Sequence, residues 1–387
     1  MEQKNLVPKR RFKEFHNAPA WEQRKLSDIT DSIGTGKSSF IKHEKSADNP
    51  YAILGSTSII GYDSEFDNEG DFILTARVGA NAGNLYRYYG KAKITDNTVF
   101  IKGENLSFLY PLLDHFDLKK LSFGTGQPLV KASELKNLQV ASPSFEEQTK
   151  IGNFFNQLDS LITLHQRKLE KMKALKSAYL SEMFPAEGER VPKRRFAGFT
   201  QAWEQRKWED TVDISTNMVD PRTGLYDELP HIGPGNIESF TGKILDNVLK
   251  VKDSNLISGK FHFYKGDIIY GKINPQLGKY AIAPCEGLAS ADSYILNAKN
   301  GVVQNFLYSI LQTKDFYKYS VSVSSRTGMP KINRDELNVY NYKVPEIEEQ
   351  KKIGSFFVGL DNLITLHQRK LEKLQNIKKA YLNEMFV

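Results

Sequence analysis

Residues 146–184 read EEQTKIGNFFNQLDSLITLHQRKLEKMKALKSAYLSEMF, and residues 348–386 read EEQKKIGSFFVGLDNLITLHQRKLEKLQNIKKAYLNEMF. The two stretches align without a gap at a constant offset of 202 residues, and 28 of their 39 positions are identical. Identity at this level marks an internal duplication, so the rest of the chain is interpreted around these two stretches.

Apolar residues recur in both copies at steps of four and three, which is the period of a coiled-coil seam. The predicted seam comprises Ile151, Phe155, Leu158, Ile162, His165 and Leu169 in the first copy and Ile353, Phe357, Leu360, Ile364, His367 and Leu371 in the second. No proline interrupts either copy. Each copy therefore predicts one helix about 60 Å long, which is too long for a single small domain and is suited to a spacer.

Polar residues occupy a few seam positions, and such residues usually fix helix register or orientation at some cost in stability. They are His165 and Lys176 in the first copy and His367 and Lys378 in the second. We interpret both histidines as seam residues rather than as ligands or bases, because the seven histidines include no pair at zinc-ligand spacing.

Composition restricts the class of protein. The 387 residues suggest two or three domains, and a net charge of +7 favours a polyanionic partner. A single cysteine, Cys285, excludes an internal disulfide framework and fits a reducing compartment. The sequence contains no run of eighteen apolar residues and no signal peptide, so we expect a soluble, cytoplasmic protein without a membrane partner.

The repeat extends beyond the two helices. Val7-Pro-Lys-Arg-Arg-Phe12 recurs as Val191-Pro-Lys-Arg-Arg-Phe196, and Trp21 with its neighbours recurs at Trp203. We therefore predict one unit used twice. Its parts are a first domain at 1–143 with a basic lead-in at 1–20, a central helix at 144–184, a second domain at 185–344 with a lead-in at 185–202, and a C-terminal helix at 345–387.

The bodies between the helices carry short β-rich runs punctuated by Gly, Asn and Asp, with helical patches at 106–121 and 302–319. We expect an α+β fold with a mixed sheet in each body. Between the matched landmarks the two bodies share little sequence, so the scaffold is duplicated and the surface loops are not. Two different bodies on matched supports suit the reading of two short patterns along duplex DNA.

At this point the chain resembles the specificity subunits of type I restriction-modification systems. The resemblance rests on three features: the EEQ-x-K-I-G start of each long helix, the strand after Gly70-Asp71 and Gly266-Asp267, and the Thr-Gly-x-Pro segments that end at Pro128 and Pro330. It implies two target-recognition domains that each read half of an asymmetric, bipartite DNA site. It also implies two long antiparallel coiled-coil helices with internal pseudo-twofold symmetry.

The resemblance further implies that the chain is a non-catalytic subunit. Two methyltransferase subunits would dock on the helices, bind S-adenosylmethionine and methylate adenine. Restriction subunits would bring ATP and Mg²⁺ for translocation and cleavage. The chain itself would hold no cofactor and no metal.

Two alternatives belong to other classes of protein. A self-sufficient DNA methyltransferase or nuclease would need a catalytic motif, and the nearest string, Asn49-Pro50-Tyr51, lacks one proline. The stretch from Ile33 to Lys37 resembles a phosphate-binding loop, but Asp31 stands where the leading glycine should be. The other alternative is a coiled-coil scaffold that binds only proteins.

Candidate DNA contacts are basic and amide side chains in glycine-rich or polar stretches beside the predicted strands, because Lys and Arg contact phosphate or guanine and Asn and Gln pair with adenine. They are Lys37, Arg77, Asn81, Asn84 and Gln127 in the first body and Lys272, Asn274, Gln276, Lys279 and Arg326 in the second.

Three further features of the bodies could be interpreted in more than one way. Gly79 to Gly83 would allow the backbone to approach a groove closely. Lys9-Arg10-Arg11 and Lys193-Arg194-Arg195 in the two lead-ins are either phosphate clamps or solvated linker residues. Trp21 and Trp203 are interpreted as core anchors.

Overall fold

The computed structural model describes residues 6–37, 40–121, 128–324 and 328–387. The chain divides into two compact units. The first unit comprises Met1–Leu164 and Lys370–Val387, and the second comprises His165–Arg369. Each unit contains one body and a segment of both long helices, so a body and its helical support form a single packed structure.

Eight α-helices occur in the described residues: α1 (Leu106–Phe116), α2 (Ala132–Asn137), α3 (Phe145–Glu182), α4 (Trp208–Thr211), α5 (Gln304–Leu311), α6 (Lys314–Ser324), α7 (Arg334–Asn338) and α8 (Ile347–Met385). Short 3₁₀ turns lie at Lys13–Phe15, Leu26–Ile29, Leu118–Leu121, Pro221–Thr223, Pro234–Asn236, Val251–Asp253 and Pro275–Leu277. None of the helices in this part of the chain is long and apolar enough to cross a membrane.

The strands of the first unit are β1 (Glu22–Lys25), β2 (Ser32–Thr35), β3 (Tyr51–Leu54), β4 (Ile59–Asp63), β5 (Asn68–Ala76), β6 (Leu85–Ile94), β7 (Thr98–Lys102) and β8 (Gln139–Ser142). The strands of the second unit are β9 (Glu204–Lys207), β10 (Val212–Ile214), β11 (Met218–Val219), β12 (Pro230–Ile232), β13 (Leu249–Lys250), β14 (Lys260–Phe263), β15 (Ile268–Gly271), β16 (Tyr280–Ile282), β17 (Gly287–Ala289), β18 (Ser293–Ala298) and β19 (Asn341–Val344).

The first body is built on a six-stranded sheet in the order β2-β7-β5-β6-β3-β4, in which β3 and β6 are parallel and the other pairs antiparallel. Gly70 and Gly90 face each other in the β5–β6 pair with φ of 121° and 133°. Only glycine adopts such angles readily. Along β5, Ile73 packs toward the helices while Phe72 and Leu74 pack into a second core on the other face of the sheet.

The second body contains a four-stranded sheet, β10-β18-β15-β16, and a five-stranded sheet, β11-β14-β17-β12-β13. Strand β12 is parallel to β17, so this body is also mixed. Ile268 and Tyr270 of β15 pack in the core that contains the helices, whereas Ile269 packs in a separate core with residues of the five-stranded sheet. The predicted mixed α+β fold is confirmed in both bodies.

The two tryptophans anchor the base of each body. Trp21 is 3% exposed and makes edge-to-face contacts with Phe108 and Phe386. Trp203 is fully buried and makes edge-to-face contacts with Phe184 and Phe306. The interpretation of these tryptophans as core anchors is confirmed. The same ring arrangement in both units shows that the duplication preserves packing as well as sequence.

Segments of α3 and α8 pair antiparallel within each unit. In the first unit Phe154 contacts Tyr381 and Asp159 pairs with Lys378. In the second unit Lys176 pairs with Asp361 and Tyr179 contacts Phe356. In both units, the residue numbers of the α8 partners decrease as those of the α3 partners increase, so the two segments run antiparallel. The charge of each polar seam lysine, Lys176 and Lys378, is therefore neutralised by an aspartate on the other helix.

The twelve predicted seam residues are buried or half-buried. Ile151, Phe155, Leu158, Leu169, Ile353, Phe357 and Ile364 are buried, and Ile162, His165, Leu360, His367 and Leu371 are half-buried. A glycine near the start of each long helix allows a second helix to approach. A Cβ on Gly152 would lie 2.8 Å from Phe108 N, and one on Gly354 would lie 2.8 Å from Phe306 N. The glycine of the EEQ-x-K-I-G start is thus required by packing.

Candidate nucleic-acid interface

Several strand ends of the first body meet at one place, here called the first edge: residues 36–37, 55–58, 77–84 and 95–97. Arg77 leaves β5 there, donating its backbone N–H to Asn97 O at 2.9 Å and its Nη1 to Asp96 O at 3.3 Å. Lys37 leaves β2 and donates its N–H to Ile94 O at 2.8 Å. Two basic candidates predicted from different parts of the sequence are thereby brought to the same edge.

The second body has a corresponding second edge: residues 233–236, 272–279, 290–292 and 330–331. Lys272 leaves β15 and donates its backbone N–H to Asp292 O at 3.0 Å. Asn274 N–H donates to Pro330 O at 2.8 Å, and Ile332 N–H donates to Lys272 O at 3.0 Å.

The same backbone bonds occur in the first body. Gly79 N–H donates to Pro128 O at 3.0 Å, and Val130 N–H donates to Arg77 O at 2.8 Å. Arg77 and Lys272 therefore occupy matching positions, each held by the residues that follow its Thr-Gly-x-Pro segment. Gln127 and Arg326, also predicted as DNA contacts, lie outside the described residues.

The remaining candidates differ in whether their side chains are exposed or make hydrogen bonds within the body. Lys37, Asn81 and Gln276 have exposed side chains. Asn84 is half-buried and donates its side-chain amide to Asn81 Oδ1 at 3.2 Å. Lys279 is half-buried and donates to Ile237 O.

Asn274 adopts a left-handed backbone with φ of 51°, and its Oδ1 accepts from Gln276 Nε2 at 3.3 Å. The exposed side chains can reach a ligand directly, whereas Asn84, Asn274 and Lys279 shape the loops that present them.

Gly83 is used differently from the sequence-based interpretation, in which it permits close approach to a groove. Its φ is 88°, and a Cβ there would lie 2.6 Å from Lys119 N. At the matching position, a Cβ on Gly278 would lie 2.4 Å from the ring of Phe240. Both glycines are required because the loop packs against its own body.

Lys272 was predicted from the sequence as a DNA contact, but three further basic side chains at the second edge, Lys260, Lys331 and Arg334, were not. Burial lowers the pKa of Lys272, the nearby Lys331 and Arg334 lower it further, and Asp292 opposes them. Burial likewise lowers the pKa of Lys260, and Asp292 again opposes. We call Lys260, Lys272, Lys331 and Arg334 the basic cluster. These four basic side chains lie beside the carboxylate of Asp292, and their positive charge makes this edge suited to an anion.

The first edge is less charged at the matching positions. Lys331 forms an isolated bridge with Ile273, and the equivalent bridge in the first body joins Val78 to Leu129. Asn97 occupies the position of Asp292, as judged by the backbone bond that each accepts from Arg77 or Lys272. The two edges thus share a backbone arrangement and differ in the side chains that it presents.

The arginines of the lead-ins are structural. Arg11 forms a two-pronged ion pair with Glu147, whose closest distance is 2.6 Å, and the two side chains are 7% and 1% exposed. Arg195 forms the same pair with Glu349 at 2.7 Å, with 11% and 0% exposed. Neither the phosphate-clamp nor the solvated-linker interpretation holds for these two residues, because each guanidinium is buried against the start of a long helix.

The adjacent arginines, Arg10 and Arg194, each pair with a glutamate near the C-terminal end of a long helix. Arg10 binds Glu384 at 2.5 Å and lies over the Tyr381 ring, and Arg194 binds Glu182 at 2.6 Å and lies over the Tyr179 ring. The only sequence signal for these contacts was the recurrence of the lead-in itself.

Within residues 6–37, 40–121, 128–324 and 328–387, no group of three or more His, Cys, Asp or Glu side chains converges to hold a metal ion.

Comparison with known proteins identifies the family. The sequence model of the type I restriction modification DNA specificity domain matches residues 19–174 and again 201–376. The chain is 27% identical over 345 residues to the EcoDI specificity subunit of Escherichia coli, covering 80% of this chain and 76% of that one. It is 24% identical over 410 residues to the MjaVIII specificity subunit of Methanocaldococcus jannaschii, covering 96% and 94%.

A solved structure shares the fold. The type I restriction-modification S subunit from M. genitalium superposes with a TM-score of 0.71 at 15% sequence identity, covering 99% of both chains. The two domain matches together span more than half of the sequence, and their boundaries follow the duplication described above. The chain therefore belongs to the type I restriction-modification DNA specificity family and carries two copies of its domain.

Proposed function

We propose that this chain is the sequence-reading subunit of a type I restriction-modification complex and that each edge reads one half of a bipartite DNA site. One observation supports this most strongly: the two edges are built by the same backbone bonds but present different side chains. A repeated scaffold with divergent contacts fits one duplex that carries two unlike sequence patterns.

Charge supports DNA as the ligand. The net charge is +7, and the basic cluster places lysines at the second edge. Phosphate contacts of this kind would supply affinity that falls with salt concentration. Exposed amides such as Asn81 and Gln276 would supply base discrimination, because an amide pairs with adenine through two hydrogen bonds.

The spacing between the half-sites is proposed to come from α3 and α8. Their 38 and 39 residues correspond to lengths of about 57 and 59 Å at 1.5 Å per residue. Within each unit an ion pair joins the antiparallel segments, Lys378 with Asp159 in the first unit and Lys176 with Asp361 in the second, and these contacts support a spacer role for the pair.

Partner subunits would bind the outer faces of the long helices. Leu161 and Leu164 on α3 are 44% and 46% exposed, and their counterparts Leu363 and Leu366 on α8 are 45% and 46% exposed. Large apolar residues repeated at equal exposure suit one kind of partner bound twice.

We infer that two methyltransferase subunits bind there. They would bring S-adenosylmethionine, and restriction subunits would bring ATP and Mg²⁺. The chain itself would carry recognition without catalysis and act in the cytoplasm.

The proposal is tested with Lys272→Ala and the matched control Lys265→Ala in the assembled complex. Lys265 is exposed and precedes β15, whereas Lys272 follows it, so the two variants lose the same charge at opposite ends of one strand. We expect Lys272→Ala to weaken binding of the recognised duplex and to reduce the slope of log affinity against log salt by about 1, and Lys265→Ala to have little effect. Equal losses in the two variants, or binding without sequence preference, would contradict the proposal.

A further inference from the structure

The second unit contains a pair of facing histidines that DNA reading does not use. His165 on α3 and His367 on α8 approach with their Nδ1 atoms 3.0 Å apart, and their ring centroids are 5.2 Å apart at an interplanar angle of 41°. Both side chains are half-buried. Each lies in an identical eleven-residue run, Leu161 to Lys171 and Leu363 to Lys373, so the antiparallel helices present the same imidazole to each other.

The separation of these nitrogens matches a pair of metal ligands. With metal–imidazole bonds of about 2.0–2.1 Å, two adjacent ligand nitrogens lie about 2.9 Å apart in octahedral geometry and about 3.4 Å apart in tetrahedral geometry. The observed 3.0 Å falls within this range. A direct hydrogen bond between the rings also fits this distance, but it requires one specific tautomer on each ring.

We propose that His165 and His367 form a bis-imidazole site for a late first-row divalent cation, Zn²⁺, Ni²⁺ or Cu²⁺, which links α3 to α8. Imidazole is a preferred ligand of these ions. The chain contributes two ligands, since no third His, Cys, Asp or Glu side chain completes a metal-binding group in the described residues. Water fills the remaining positions, and the bound ion is exchangeable.

A cation at this point would hold the helix pair together through two residues that belong to neither edge. Because it needs both histidines in the paired geometry, it binds the folded chain in preference to the unfolded one and stabilises it in proportion to the free metal concentration. The inference is independent of DNA recognition, and binding is measurable on the full chain alone.

The first test uses the untagged full chain and Zn²⁺ as the probe. His165→Asn and His367→Asn each remove one ligand, and His43→Asn removes an exposed histidine elsewhere. Calorimetric titration should give one Zn²⁺ per chain for the unaltered protein and for His43→Asn, with at least a tenfold weaker affinity in the other two variants. The melting temperature should rise with Zn²⁺ in the first two proteins alone. Equal binding by all four proteins, or no binding by the unaltered chain, would overturn the proposal.

The second test does not depend on any variant folding. Electron paramagnetic resonance of one equivalent of Cu²⁺ bound to the unaltered chain should show couplings to two imidazole nitrogens. A spectrum with one imidazole nitrogen or with none places the ion elsewhere and refutes the site.

Discussion

The first and second edges have the same backbone and different chemistry. Arg77 and Lys272 each accept a backbone bond from the segment after the Thr-Gly-x-Pro motif, with N···O distances of 2.8 and 3.0 Å. Beside them the first edge has Leu129 and Asn97, whereas the second has Lys331 and Asp292. Main-chain hydrogen bonds do not depend on side-chain identity, so the edge residues can change while the scaffold stays fixed.

The comparison separates two kinds of residue. Those that hold the scaffold should behave alike in both units, whereas those at the edges should behave differently.

Loss of the buried arginine of either lead-in should be the most damaging change. Arg11→Ala leaves Glu147 buried without its partner, and Arg195→Ala does the same to Glu349. Removing one member of a buried ion pair costs about 3–5 kcal/mol of unfolding free energy. Urea denaturation should show similar losses in both variants. Arg10→Ala is the control: its partner pair is exposed, and it should lose much less. Equal losses for Arg10→Ala and Arg11→Ala would show that burial is not the cause.

The glycines of α8 offer a second test within one helix. Gly354→Ala places a Cβ 2.8 Å from Phe306 N, and we expect a loss of about 1–3 kcal/mol from overpacking. A Cβ on Gly359 meets nothing within 4 Å, so Gly359→Ala should instead stabilise the helix by about 0.5–1 kcal/mol. Thermal unfolding measures both. The same sign for the two variants would refute the packing argument, and Gly152→Ala should reproduce the loss in the first unit.

Exchanging one residue between the two edges tests whether their difference in charge affects DNA binding. Lys331→Leu gives the second edge the residue of the first, and Leu129→Lys makes the reverse change. If these positions face phosphate, the slope of log affinity against log salt should fall by about 1 in Lys331→Leu and rise by about 1 in Leu129→Lys. Fluorescence titrations of the assembled complex with its DNA site at several salt concentrations would show it. Unchanged slopes in both variants would remove these positions from the interface.

The smallest effect concerns pH. Burial raises the pKa of Asp114 in the first unit. When the pKa of a carboxyl group is higher in the folded than in the unfolded protein, the protonated group does not change the free energy of unfolding. That free energy then decreases as the pH rises from the unfolded pKa, about 3.9, toward the folded pKa. Asp114→Asn should therefore gain stability relative to the unaltered chain above that window and none below it. The gain should be less than about 1 kcal/mol, because the side chain is 45% exposed. Melting temperatures from pH 3 to pH 7 test it, and a gain at pH 3 would contradict it.

Periodicity and repetition in the sequence predicted the long helices, the mixed α+β bodies and the buried tryptophans. These features depend on local pattern, which one chain displays directly. The Arg11–Glu147 pair joins residues 136 positions apart, and nothing local marks them as partners. Lys260 reaches the second edge through the register of β14 against β17, in which Phe261 faces Ala289. Such juxtapositions depend on strand register, which the alternation of residues in these short strands does not determine.

The most direct test of the proposed spacing between the half-sites is to lengthen the two long helices. One heptad is inserted into α3 and one into α8 at matched positions, so that the antiparallel pairing and the two edges are retained. Seven residues add about 10.5 Å, which equals about 3 base pairs of duplex. Mapping of methylated adenines in cells that carry the altered complex should show both half-site sequences unchanged and the gap between them longer by about 3 base pairs. An unchanged gap with methylation retained would contradict the account.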